Sequence, residues 1–143
     1  MEHAAGISVA YEGGDRLRIA VRGHDLVTDQ PIDSGGDDRE PTPTELFVGS
    51  LVSCMGFYAQ RFLRLNHVEA AGLALSATFE STAERPYRVS AISVDVVLPP
   101  GTPDRLVDPL RRVMDACTVH NTLRHEPSVT LTLEQPEIGK LAG

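Results

Sequence analysis

Apolar and polar residues alternate through the N-terminal part of the chain. Ile7 and Val9 lead to Tyr11, and Leu17, Ile19 and Val21 interleave with Arg16, Arg18, Ala20 and Arg22. A period of two predicts strands, and Gly13-Gly14-Asp15 between the runs supplies a hairpin turn. A third short strand is expected over 24–29. The segment from Pro31 to Pro41 is rich in Gly, Pro and acidic residues, which disfavours helix and sheet alike and predicts an exposed loop.

At Thr42-Pro43-Thr44-Glu45 the pattern changes. A threonine followed three residues later by glutamate, with proline in the first helical position, is a capping box, so a helix is expected from here to about Leu65. Its apolar residues, including Leu46, Phe47, Val48, Leu51, Val52, Met55, Phe57, Tyr58 and Phe62, fall on every side. A helix apolar all round needs cover all round, and a second helix together with a second subunit is the expected cover. Alternation returns at Leu73, Leu75, Ala77 and Phe79 and again at Val89, Ile92, Val94 and Val96, separated by Glu84-Arg85-Pro86, which predicts an antiparallel pair. Thr102-Pro103-Asp104 repeats the cap-then-proline opening. Leu106, Val107, Leu110, Val113, Met114 and Cys117 then follow at helical spacing, which predicts an amphipathic helix with Cys117 on its buried stripe. After a short helical or irregular stretch closed by Pro127, Val129, Leu131 and Leu133 predict a last strand. The expected order is βββ-α-ββ-α-β, an α+β fold forming one domain over 1–143.

Composition narrows the function classes. Of 143 residues 41% are hydrophobic and 23% charged, values of a globular chain and not of a disordered one. Twenty acidic against 13 basic residues give a net charge of −7, which repels phosphate backbones and argues against a nucleic-acid partner. The longest uncharged run, Leu46 to Gln60, is shorter than the ~20 residues that span a bilayer, so no membrane association is expected. Met-Glu-His-Ala-Ala-Gly lacks the basic and apolar regions of a secretory signal, which points to the cytoplasm. The two cysteines, Cys54 and Cys117, fit neither a secreted disulfide framework nor a zinc ribbon. In a reducing compartment such a pair is inert core or redox-active.

Cys54 lies well past the first turn of the long helix, among apolar neighbours that favour a buried, unreactive thiol. A cation from elsewhere would have to activate it, and Arg16, Arg18, Arg39 and Arg61 are the candidates. Arg61 follows on the same stripe, but the helical rise puts it about 10 Å away. Cys117 is followed by His120, expected at the end of its helix, and would serve as a resolving partner if the two α-carbons came within about 7 Å. Glu45 reads locally as the helix cap, and its offset of nine residues puts it on the face opposite Cys54. A Cys54, Cys117 and His120 metal site is weakly indicated, and neither a metal nor an organic cofactor is expected. No nucleophile-elbow, zinc-protease or phosphate-loop spacing occurs.

Pro41-Thr42-Pro43-Thr44-Glu45-Leu46-Phe47-Val48-Gly49-Ser50-Leu51-Val52-Ser53-Cys54, followed by Ala116-Cys117-Thr118-Val119-His120-Asn121-Thr122-Leu123, resembles the OsmC/Ohr family of osmotically induced and organic hydroperoxide resistance proteins across essentially the whole chain. The resemblance implies an intertwined homodimer with the long helices at its centre and sheets wrapped around them. It also implies that Cys54 is a peroxidatic thiolate, Cys117 its resolving partner, and an Arg–Glu pair the activator. Gly13-Gly14-Asp15-Arg16 matches the family hairpin, making Arg16 the first candidate and Arg18 the second. Where peroxidase members carry Asn-Pro-Glu-x-Leu, this chain has Thr44 in place of the glutamate, and Glu45 follows one residue late. Two functions stay open. One is a thiol peroxidase for organic hydroperoxides, with Phe47, Leu51, Phe57 and Tyr58 as the apolar substrate site and a dithiol, as on lipoyl groups, as reductant. The other is a non-catalytic dimer that senses redox state or binds a small apolar ligand.

Overall fold

The computed structural model describes residues 6–139. Three antiparallel strands open it, β1 (Ile7–Gly13), β2 (Arg16–Val21) and β3 (His24–Thr28), in spatial order β1-β2-β3. Gly13 and Gly14 both hold positive φ in the first turn, which L side chains adopt only under strain. The register pairs Ile7 with Val21, Val9 with Ile19, Tyr11 with Leu17 and Leu26 with Ile19, so the apolar residues share one face. That face is poorly covered: Ile7 is 66%, Tyr11 73% and Leu26 50% exposed.

The loop after β3 holds a 3-10 turn, Ile32–Ser34, and leads to the long helix α1, Pro43–Leu65. The capping box forms as expected. The Glu45 backbone N–H donates to Thr42 Oγ1, and the Thr42 backbone N–H donates to Glu45 Oε1. Two longer antiparallel strands follow, β4 (Ala74–Ser81) and β5 (Val89–Val97). They pair Leu75 with Val96, Ala77 with Val94 and Phe79 with Ile92, and this inward set lies against α1. The core gathers Ala59 and Leu63 of α1 with Leu110 and Met114 of the next helix, packed by Met55, Phe62, Leu75, Val96 and Leu98. Full burial of a leucine contributes about 1.5–3 kcal/mol, so Leu63 and Leu110 anchor α1 to its neighbour.

The second half of the chain departs from expectation in three places. Thr102 does not cap a helix: its hydroxyl donates to the Pro99 carbonyl, and Pro103 precedes a 3-10 turn, Asp104–Leu106, without a side-chain cap. The amphipathic helix expected to run through Cys117 ends earlier, as α2 (Val107–Asp115), and the short stretch before Pro127 is a separate helix, α3 (Thr118–Arg124). Between them Cys117 adopts extended backbone, φ −64° and ψ 155°. Cys117 is therefore the N-cap of α3, not a member of the α2 stripe, and His120 sits in the first turn of α3 instead of at a helix end. Third, Val129, Leu131 and Leu133 form no strand among the described residues and are 82–87% exposed. Their alternation is that of a strand, but among the described residues no neighbouring strand offers a ladder for their N–H and C=O groups.

By length and composition α1 is also apolar enough to cross a membrane, with 22% of its most apolar window buried. Glu45 near its start and Arg61 and Arg64 near its end bound the apolar run to the stretch that packs on α2, β4 and β5.

Candidate redox site

Two elements place the cysteines. Cys54 sits in the middle of α1, whose cap and core contacts fix it in place. Cys117 sits at the joint between α2 and α3, where its backbone N–H donates to the Met114 carbonyl. Both are free thiols, Cys54 half-buried and Cys117 fully buried, and the fold sets them side by side. Burial pushes the Cys117 thiol above the ordinary cysteine range, since a thiolate would lose its hydration there. The backbone N–H groups of His120 and Val119 pull the other way, and the adjacent Cys54 thiol adds to the rise.

A side-chain tie holds this joint against α1. Tyr58 Oη and Thr118 Oγ1 are 2.8 Å apart, in a hydroxyl–hydroxyl hydrogen bond. On the far side, Arg124 of α3 donates to the Asp115 carboxylate at 2.8 Å and to the Asp115 carbonyl at 3.0 Å. The Arg124 guanidinium holds the Asp115 carboxyl below the usual carboxylate range. The buried Nδ1 of His120 lies 3.4 Å from Asp115 Oδ1 without forming a hydrogen bond. Asp115 and Arg124 were not among the residues expected from the sequence. Their link depends on the break at Cys117, which folds α3 back toward the end of α2.

The expected activators make contacts of their own. Arg16 Nη1 donates to Asp37 at 2.6 Å, and Arg18 is paired with Glu12 and Asp25. The Arg39 backbone N–H donates to the buried Asp29 carboxylate at 3.1 Å. Arg61 lies over the Phe57 ring, 5.3 Å from its centroid, and Glu45 is engaged in the cap. The expected apolar site divides as well. Phe47 and Leu51 line a cavity of about 350 Å³ together with Met55, Ile92, His120 and Leu123. Phe57 is half-exposed and meets Tyr58 edge-on at 5.5 Å, and neither lines that cavity. Among the described residues no group of three or more His, Cys, Asp or Glu side chains is arranged to hold a metal ion.

A family model described as OsmC-like protein matches residues 35–132. No curated protein matches the chain. Among solved structures, a Psychrobacter arcticus protein assigned to osmotic stress induction and the detoxification response is 23% identical, with a TM-score of 0.78 over 85% of this chain and 90% of that one. An organic hydroperoxide resistance protein OsmC from Legionella pneumophila is 12% identical, with a TM-score of 0.66 over 87% and 93%. The organic hydroperoxide resistance protein OhrB of Bacillus subtilis is 13% identical, with a TM-score of 0.61 over 87% and 93%. At these identities the structures establish a shared α+β fold. The family model, which spans more than half of the sequence and both cysteines, establishes that the chain belongs to the OsmC-like family.

Proposed function

We propose that the protein is a thiol peroxidase for organic hydroperoxides. The observation that carries this reading is the pairing of Cys54 with Cys117: residues 63 positions apart in sequence meet as one half-buried and one buried free thiol. The Cys54 thiolate attacks the distal oxygen of the hydroperoxide. An S–O bond forms, the O–O bond breaks, and the alkoxide leaves as an alcohol after taking a proton. Cys117 then attacks the sulfenic sulfur, the S–S bond forms, and the hydroxyl leaves as water with the Cys117 proton. A dithiol, such as a lipoyl group, returns two electrons and restores both thiols. Phe47 and Leu51, in the cavity that Met55 and His120 also line, would take the organic part of the substrate.

The apolar face of β1–β3, the exposed Phe47 and Phe57 of α1 and the unpaired Val129–Leu133 run support a homodimer, because a lone chain would leave more apolar surface in water than monomers tolerate. In that dimer Arg16, with Arg18 behind it, would supply the guanidinium that activates Cys54. We place the protein in the cytoplasm, where dithiol reductants are at hand. A one-time redox sensor is the competing reading, favoured by the pairing of Arg16 and Arg18 with carboxylates inside their own sheet and loop. Steady turnover of cumene hydroperoxide with dihydrolipoamide supports the peroxidase. Oxidation that stops after one equivalent, with dithiol present, overturns it in favour of the sensor.

A further inference from the structure

Tyr58 stands four residues after Cys54 in α1, one helical turn along the same face, and Thr118 directly follows Cys117. The 2.8 Å bond between their hydroxyls therefore joins the two cysteine-bearing segments right beside the thiols. Among the described residues it is the side-chain hydrogen bond that ties α3 to α1. The other bonds of α3 stay local: Arg124 holds Asp115, Asn121 Nδ2 donates to the Ala116 carbonyl, and Thr122 donates to the Thr118 carbonyl. A helix of seven residues has little stability of its own, so its placement depends on such ties. Disulfide closure is demanding in turn, since the two β-carbons must approach within about 4 Å with a torsion near 90°.

We infer that Tyr58 and Thr118 are a positioning pair that holds Cys117 in register for disulfide closure with Cys54, a role resting on the thiol chemistry proposed above. Losing the bond lets α3 rotate away from α1. That slows the second sulfur step and leaves the first, which needs Cys54 alone, untouched by Thr118.

The test uses the reduced full-length protein and an aromatic disulfide, dithiobis(nitrobenzoate), followed by stopped-flow absorbance. Cys54 forms a mixed disulfide and one aryl thiolate leaves. Cys117 then attacks the Cys54 sulfur, closing the protein disulfide and expelling a second aryl thiolate. Thr118→Val should leave the first release unchanged and slow the second about five- to tenfold, the kinetic equivalent of one net hydrogen bond. Thr118→Ser, which keeps the hydroxyl, should restore the parental second release. Tyr58→Phe should slow the second release as much as Thr118→Val, and the double variant no further. A second release unaltered in both Thr118→Val and Tyr58→Phe, or equally slow in Thr118→Ser, overturns the inference. Failure of the parent to consume hydroperoxide, with the second release behaving as described, overturns the peroxidase reading alone.

Discussion

The His120 backbone N–H donates to Cys117 Sγ at 3.4 Å, so the second thiol caps the helix that follows it. Serine is a better cap than cysteine, whereas alanine removes the acceptor at a cost of about 1 kcal/mol. Cys117→Ser should therefore unfold at or above the parental midpoint in urea, and Cys117→Ala below it. Equal midpoints for the serine and alanine variants would show that the cap contributes nothing.

The cysteine roles are asymmetric and separate under single turnover. Cys54→Ser should lose the reaction with cumene hydroperoxide altogether. Cys117→Ser should consume about one equivalent and stop as a sulfenic acid, passing to a sulfinic acid in excess peroxide. Intact-mass spectrometry distinguishes these states. Unchanged turnover in Cys54→Ser would contradict the assignment.

Closure of the disulfide should depend on pH through Cys117, because the attacking species is the thiolate and the fold favours the neutral thiol. With its pKa raised by burial, the second aryl thiolate release should climb with pH and show no plateau at the ordinary cysteine value of about 8.5. The linked stability has a definite sign. It is fully present below the unfolded cysteine pKa and fades as pH rises through the higher folded value. A plateau below pH 8.5 would show that Cys117 is not the attacking group in this step.

An obligate dimer is expected from the uncovered apolar faces, with an isologous interface. Sedimentation equilibrium at micromolar concentration should show twice the chain mass. Leu131→Asp, on a run without a strand partner among the described residues, should shift the equilibrium toward smaller species. A folded parent of monomer mass at micromolar concentration would refute the dimer.

The parts of the fold legible in the sequence are those set by neighbours along the chain. Thr42, Pro43 and Glu45 announce α1 because a capping box closes within four residues, and the strands declare themselves by alternation between turn residues. Cys117 was misplaced because its apolar spacing continues the α2 stripe even though the backbone turns extended there. No local signal outweighed that stripe, and the Asp115, His120 and Arg124 cluster stayed hidden with the break. The approach of Cys54 to Cys117 is a tertiary fact: spacing alone allowed it without requiring it. Val129–Leu133 carries a strand pattern, but a strand is made by its ladder, and the described chain holds no partner for it.

Asp29 is fully buried at the end of β3, and its carboxylate accepts the backbone N–H groups of Gln30 and Arg39. The Asp29 N–H itself donates to the Pro41 carbonyl, and Asp38 N–H donates to the Gln30 carbonyl. At Gly36 a β-carbon would come within 2.1 Å of the Gln30 carbonyl oxygen, so the two sides of the loop touch backbone to backbone. A protease must draw a run of residues into extended form before it can cut. The exposed Arg39–Glu40 bond offers trypsin a suitable side chain on a backbone that is already tied at both ends. Accessible to water but closed to digestion, the stretch from Gln30 to Pro41 would survive limited proteolysis, and the glycine at 36 is the residue on which that resistance turns.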